Sequence, residues 1–466
     1  MPFRRPRVKR PPLRDAIRIA RAQLPLTLKT AIPIMIGQMG QMIMILIDTF
    51  MVGKLGPSAI ASVGLGGAIF YVFFLFGAGT LFALDYLVSF ARGRNAIEEC
   101  HHWLWQGVYL SIGLAIPVII LIETLAPALI TRYFPTAIAP NTTQFLRMLT
   151  LSLPSFLIFI TFRQYLQAMG SVRPATVVVL LAVVSNIGGN WILIYGNLGA
   201  PALGVMGAGL ATTITRTLMA AALVGYTFYR DHKLKLGLWR SPKAFRSASM
   251  SRLLWLGLPA GIQFTFETGI FSLSTSLASR LGVVSAAAHA IVLNLASFTY
   301  MFALGMAGAA AIMVGHELGR GDRVQAKFAG WTAIVAIVFI MGVNGIGLAT
   351  LGRPIASLFT SDPEVITLAG RLLLLVAIFQ VADGVQSVGA GALRGLGETR
   401  FTMFANLLGH WGIGLPVVLG FTFTLGLGAT GIWLGLTVGL FVVALLILWR
   451  WNVRSQSWDI EKHRIK

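Results

Sequence analysis

At 466 residues, with 56% hydrophobic residues, only 11% charged residues and a mean hydropathy of +0.78, the chain is too apolar for a soluble protein, which carries about a quarter charged residues. Its apolar segments run for about 20 residues without alternating polarity, which excludes a β-barrel and indicates helices that span a bilayer. The net charge of +21 does not point to nucleic acid, because the basic residues gather in loops and ends that would face anionic lipid; the single cysteine, Cys100, excludes an internal disulfide.

In chain order, Arg4, Arg5, Arg7, Lys9, Arg10, Arg14, Arg18 and Arg21 precede the first apolar run. This start resembles a signal peptide, but no small-residue cleavage site follows and the run is a full span, so it is read as retained. Twelve transmembrane helices are predicted, at roughly 26–52, 62–91, 103–125, 143–168, 174–196, 204–229, 251–280, 287–316, 328–350, 365–392, 400–424 and 428–451. The organisation that follows is a basic cytoplasmic segment (1–25), an N-lobe of six spans (26–229), a cytoplasmic linker (230–250), a C-lobe of six spans (251–451) and a cytoplasmic tail (452–466). With the N-terminus inside, the even-numbered connections carry Arg92 and Arg94, Arg173, the seven basic residues from Arg230 to Arg252, Arg320, Arg323 and Lys327, and Arg394 and Arg400. The opposite connections carry only Lys54, Arg132, Arg280 and Arg353, an asymmetry that places both termini in the cytoplasm.

The chain repeats itself. A shift of 226 residues brings Pro33 onto Pro259, Lys54 onto Arg280, Gly56 onto Gly282, Gly79 onto Gly305, Gly93-Arg94 onto Gly319-Arg320 and Trp105 onto Trp331. Further on, Met169-Gly170-Ser171-Val172-Arg173 matches Leu396-Gly397-Glu398-Thr399-Arg400 at 227. Six spans per repeat make both halves enter from the same side, so the lobes are expected to be related by a pseudo-twofold axis along the membrane normal, as in transporters whose site lies between repeats.

Asp48 sits among Met35, Ile36, Met42, Ile43, Met44, Ile45, Leu46 and Ile47, where an acid costs about 2.5–3.5 kcal/mol on insertion scales and is functional by default. Gln41 shares its helix face, and Pro33, two turns earlier, can free a backbone carbonyl. The plain alternative, a buried ion pair, is set aside because no basic residue is read at similar depth in the neighbouring spans and Lys54 lies beyond the helix end. Asn186 and Asn190, four apart in the fifth span, point one way and are expected to join Asp48 in one cluster, although amides also serve as packing glue.

The second half has its own acids. Glu267 shares a face with Gln263 and Ser274, and Asp383 is flanked by Gln380, Gln386 and Ser387. Neither occupies the repeat equivalent of Asp48, which is Ser274. Asp85 is ambiguous, since Arg92 and Arg94 follow it closely and could pair with it; Glu123 reads as interfacial. His316-Glu317 and Cys100-His101-His102 lack companion ligands for zinc, and His289 and His410 read as packed or interfacial. No Walker motif, Ser-His-Asp order or dinucleotide loop is present, so neither an ATP-driven pump nor an enzyme is indicated.

At these residues the sequence resembles the multidrug and toxic compound extrusion (MATE) transporters, in their NorM-like bacterial branch. The stretches that carry the likeness are Ile47-Asp48-Thr49-Phe50-Met51-Val52-Gly53, Ser185-Asn186-Ile187-Gly188-Gly189-Asn190-Trp191-Ile192-Leu193-Ile194-Tyr195-Gly196, Phe266-Glu267 leading to Gly315-His316-Glu317-Leu318-Gly319-Arg320-Gly321-Asp322, and Ala382-Asp383 leading to Ala392-Leu393-Arg394-Gly395-Leu396-Gly397-Glu398-Thr399-Arg400. The resemblance runs from about residue 25 to 450. It implies a monomeric antiporter of the bacterial inner membrane, without cofactor, that expels small organic and often cationic compounds against H+ or Na+. Asp48, Asn186 and Asn190 would form the N-lobe site, and Glu267 with Asp383 the C-lobe cation site, where Na+ is a candidate. Two departures touch the coupling ion: Phe379 stands where the branch often has a tyrosine one turn before the aspartate, and Asp85 is unusual.

Physically, a carboxylate in low dielectric can exchange a proton, and with oxygen-bearing neighbours it could instead hold sodium; competition with a cationic drug for one negative site is then the exchange. Met35, Met39, Met42 and Met44 with Phe70, Phe73, Phe74 and Phe76 offer an adaptable lining, or ordinary packing. The competing readings are a flippase or exporter of a lipid-linked or non-cationic metabolite, a membrane enzyme, a scaffold and a channel.

Overall fold

The structure is a computed structural model in which residues 12–240 and 244–457 are described; Arg4, Arg5, Arg7, Lys9 and Arg10, Lys243 of the linker and the tail beyond 457 lie outside the described residues. Among the described residues the secondary structure is helical, with no strand. Ten helices or continuous helical stretches are long and apolar enough to cross a membrane, and a bent pair makes an eleventh. The twelfth, α9 below, is 34 residues long and is less apolar because it carries Gln263, Glu267 and several hydroxyls.

The first half comprises α1 (Leu13–Gly53), α2 (Pro57–Leu81) continued by α3 (Ala83–Gly93), α4 (Ile97–Tyr133), α5 (Ala139–Leu151) bent by 42° into α6 (Leu153–Ala168), α7 (Arg173–Tyr195) and α8 (Gly204–Leu234). The second comprises α9 (Ser247–Arg280), α10 (Val283–Gly319), α11 (Arg323–Ser357), α12 (Pro363–Gly395), then α13 (Arg400–Asn406) and α14 (Leu415–Leu419) joined by π-helical turns at Leu407–Gly414, and α15 (Gly428–Ser457). The helices overrun most of the predicted spans. α1 starts at Leu13 rather than near residue 26, because its charged first turns are good helix formers even though they are too polar for lipid.

The repeat is written in the backbone as well. Gly56 before α2 has φ 108° and ψ 173°, and Gly282 before α10 has φ 108° and ψ 171°, a conformation essentially restricted to glycine. Asp322 and Asp362 start α11 and α12 by accepting backbone N–H groups, from Gln325 at 2.9 Å and from Glu364 at 2.9 Å.

By their contacts the described residues form two compact units, residues 36–261 and residues 262–457 together with the chain up to Met35. The division falls inside α1 just after Pro33 and inside α9 just after Pro259, which are repeat-equivalent positions. In the first unit, a Cβ on Gly207 of α8 would lie 2.3 Å from the Leu193 carbonyl oxygen of α7, so the two backbones touch. In the second, a Cβ on Gly391 of α12 would lie 2.3 Å from the Ala307 oxygen of α10. Close approach through small residues holds such helices together where lipid supplies no hydrophobic drive. Large apolar side chains instead face outward, among them Leu181 and Val184 of α7 and Phe339 and Ile346 of α11.

Candidate functional site

Asp48 lies near the end of α1 and is buried. Asn186 and Asn190 are one turn apart on α7, and Thr212 comes from α8, packed against it. The four side chains close a ring. Asn190 Nδ2 donates to Asp48 Oδ1 at 2.6 Å and to Asn186 Oδ1 at 3.3 Å. Asn186 Nδ2 donates to Thr212 Oγ1 at 3.4 Å, and Thr212 Oγ1 donates to Asp48 Oδ2 at 2.8 Å. Both carboxylate oxygens therefore accept a hydrogen bond, which is how a charge is tolerated at this depth. Asn190 Oδ1 is buried with no partner among the described residues, leaving one spare acceptor at the ring.

The expectation that no basic residue shares this depth is wrong. Arg216, one turn after Thr212 on α8, is 4% exposed and lines the same cavity as Asp48. The cavity is small, about 20 Å³ or room for about one water, and is walled by Gln41, Met44, Tyr71, Phe156 and Met219 besides the two charges. Arg216 is pinned on its own side: Nη1 donates to Ser152 Oγ at 2.9 Å and Nη2 to Tyr71 Oη at 3.3 Å, with the guanidinium 4.9 Å from the Phe70 ring centre and 4.3 Å from that of Phe156. It forms no direct ion pair with Asp48. The signal was available in the sequence, since an arginine in mid-span is as anomalous as an aspartate.

The expected lining is only partly there. Of the methionines and phenylalanines named from sequence, Met44 faces the cavity; Phe70 and Phe74 pack behind it, Phe74 stacking on Phe156 at 4.2 Å. Met35 belongs to the second unit, wedged against Gly305. Gln41 reaches the cavity as expected, and its Nε2 has no partner among the described residues. Pro33 lies within the unbroken helix α1.

In the second unit, Glu267 of α9 and Asp383 of α12 are both buried, and the Asp383 charge is felt at Glu267. Gln386 Nε2 donates to Glu267 Oε1 at 3.0 Å and its amide lies within reach of Asp383, while Glu267 Oε2 is buried with no partner among the described residues. Tyr300 of α10, which the sequence reading passed over, interacts electrostatically with both acids. It brings a phenol to the region where Phe379 withholds one. A small cavity of about 10 Å³ beside them is lined by Gln263, Tyr300, Gln386, Ser387 and Arg394. Gln380 and Ser274, expected on the faces of the acids, bond elsewhere: Gln380 Nε2 to the Met341 oxygen at 3.3 Å and Ser274 Oγ to the Ile270 oxygen at 2.8 Å.

Asp85, on α3, is buried and acts electrostatically on Arg163 of α6, whose Nη1 donates to Gln38 Oε1 at 3.1 Å. Arg94, one of the suggested partners of Asp85, pairs instead with Glu99. Glu123 pairs with Arg147 at 3.2 Å, part exposed. Glu317 pairs with Arg320 at 2.8 Å, His102 bonds Ser249 at 2.8 Å and Cys100 donates to the Val88 oxygen at 3.6 Å. His289 bonds Thr275 at 3.1 Å and packs beside Trp433, and His410 is buried in the π-helical turns. Among the described residues no group of three or more His, Cys, Asp or Glu could hold a metal ion.

Comparison with known proteins gives a consistent picture. A model of the MatE family matches residues 33–192 and, separately, residues 259–419, one match per repeat. The chain is 37% identical to the "Probable multidrug resistance protein NorM" of Burkholderia mallei, over 92% of this chain and 93% of that one. It is 36% identical to the "Multidrug resistance protein NorM" of Burkholderia vietnamiensis, over 92% and 94%. Among solved structures the eukaryotic MATE transporter AtDTX14 superposes with a TM-score of 0.85 at 21% identity, over 94% of this chain and 98% of that one.

Proposed function

This chain belongs to the MatE family of transporters, and from that premise we propose that it exports small organic, often cationic, compounds from a bacterial cell in exchange for inward H+ or Na+. The observation that carries the reading is the ring around Asp48. A buried carboxylate held by Asn190 and Thr212 borders a small cavity that it shares with Gln41, Tyr71 and Arg216. At that carboxylate a cationic nitrogen and a coupling ion compete for one negative charge. Binding of either displaces the other, so the downhill ion drives the uphill drug as the two lobes alternate access.

Glu267 and Asp383 are the second half of the proposal. Two acids that share Gln386, with Tyr300 within electrostatic reach, are an oxygen-rich setting for a hard monovalent cation or for a shared proton. Either occupant relieves the repulsion between the carboxylates. The basic asymmetry of the connections supports a multi-pass protein of the inner membrane with both termini cytoplasmic, and the two-lobe organisation supports a monomer as the working unit.

The test is efflux of a fluorescent organic cation from energised cells, comparing wild type with Asp48→Asn, and separately with Glu267→Gln and Asp383→Asn. Asp48→Asn is expected to abolish efflux, and the other two to remove its dependence on the driving ion. Full efflux of every compound by Asp48→Asn would refute the role of Asp48; unchanged ion dependence would refute that of the second pair.

A further inference from the structure

Within the second unit Glu267 is held twice, once by its side chain and once through the backbone beside it. Gln386 of α12 donates to its Oε1 at 3.0 Å. The backbone contact comes from Trp411, in the π-helical turns between α13 and α14. Its indole Nε1 donates at 3.0 Å to the carbonyl oxygen of Phe266, the residue before Glu267. The indole meets the Phe266 ring edge-on, with centres 5.8 Å apart and an interplanar angle of 86°. A Cβ on Gly269 would lie 3.2 Å from Trp411 Cζ2, so the indole lies against the whole turn of α9 from Phe266 to Gly269. A carbonyl oxygen has two lone pairs, and this tether can therefore coexist with the helical bond of α9. Asn406, at the end of α13, adds a weaker link. Its Nδ2 donates to the Thr402 oxygen at 3.1 Å and lies 3.5 Å from Gln386 Oε1, at the outer limit of a hydrogen bond.

π-Helical turns are rare and are found frequently at functional sites. An α-helix advances about 100° per residue, so the register of these wider turns decides whether the indole faces α9 at all. We infer that Trp411 is a positioning residue for the driving ion: by fixing the turn of α9 that carries Glu267, it sets how that carboxylate stands relative to Asp383 and thereby the affinity of the pair for the ion. A cation gains most from oxygens already held in place, because a loose set must be ordered at the moment of binding. The inference rests on the reading of Glu267 and Asp383 as the coupling site, and it adds the span that shapes that site.

The test uses full-length protein in liposomes loaded with a fluorescent organic cation, with export followed as the sodium or the proton concentration is varied. Wild type, Trp411→Phe, Gly269→Ala and Glu267→Gln are compared, with thermal unfolding in detergent as a check of folding. Trp411→Phe keeps an aromatic ring but removes the N–H; Gly269→Ala keeps the indole but crowds it away from α9. Each is expected to raise the half-maximal concentration of the driving ion by about threefold or more, the fold-change that matches an interhelical hydrogen bond in a membrane. The maximal rate and the affinity for the organic cation are expected to stay at the wild-type values. A half-maximal concentration unchanged in folded Trp411→Phe overturns the inference, and so does a fall in maximal rate alone. Should Trp411→Phe fail to fold, Gly269→Ala decides by the same two readings. Ion dependence left intact by Glu267→Gln overturns instead the reading of the acid pair as the coupling site, whatever the Trp411 variant does.

Discussion

Replacing Thr212 by valine keeps the side-chain shape and the β-branch on α8 but deletes the hydroxyl that closes the ring. Two contacts go: the 2.8 Å donation to Asp48 Oδ2 and the 3.4 Å acceptance from Asn186 Nδ2, the second long enough to matter little. Interhelical hydrogen bonds in membranes average about 0.6 kcal/mol and reach about 1.7. Hydrogen bonds to charged groups are worth about 1.5–3 kcal/mol. The charged acceptor puts this one near the top of the membrane range, so a loss of about 1.5 kcal/mol is expected. Asn190 still holds Oδ1, so Asp48 is loosened rather than released. The assay is a double-mutant cycle with Asp48→Asn, read by thermal unfolding in detergent with a short, defined ligand-free buffer. The single change is expected to lower stability, and its cost to shrink by about 1 kcal/mol or more when Asp48 is already asparagine. An identical cost in both backgrounds would mean that Thr212 does not act through Asp48, and the ring would be a coincidence of packing.

The remaining predictions follow from the same contacts. Gly391→Ala puts a Cβ 2.3 Å from the Ala307 oxygen, so α10 and α12 must separate; overpacking of this kind costs about 1–3 kcal/mol, visible as a lowered melting temperature and reduced monodisperse yield. Removing Arg163 leaves the buried Asp85 charge without the guanidinium that it acts on. Two buried opposite charges that act on each other are costly to separate, so Arg163→Met is expected to lower the melting temperature and the double variant Arg163→Met, Asp85→Asn to recover it. Recovery with efflux intact assigns Asp85 to structure; recovery of folding with efflux lost assigns it to transport. Gln386→Leu deletes the donor to Glu267 Oε1 and is expected to change the driving-ion dependence of export more than drug affinity, checked by comparing ion titrations of transport with drug binding.

What was legible in the sequence was whatever lipid makes expensive. The spans, the 226-residue repeat and the acids at 48, 267 and 383 stood out because a bilayer admits few alternatives, and the i, i+4 spacing of Asn186 and Asn190 already put both amides on one face. Thr212 could not be singled out, since a lone hydroxyl in a span commonly bonds its own helix backbone, as Ser274 does here. Arg216 could have been found by the same cost argument that found Asp48, since it falls in the middle of the span predicted at 204–229. The cavity wall was misjudged because a run of methionines has no periodicity that tells an inward face from a packed one, and the wall is built by Tyr71, Phe156 and Met219 from three other helices. Gln380 illustrates the same limit: adjacency to Asp383 along the helix gave it the right turn and the wrong neighbour.

The most direct test of the central claim uses purified protein in liposomes loaded with a fluorescent organic cation, under a sodium gradient and a proton gradient imposed separately, for wild type and Asp48→Asn. The account predicts movement of the cation against its own gradient, driven by one of the two ions in wild type and absent in the variant. No movement under either gradient with well-folded wild-type protein, or equal movement in Asp48→Asn, would contradict it.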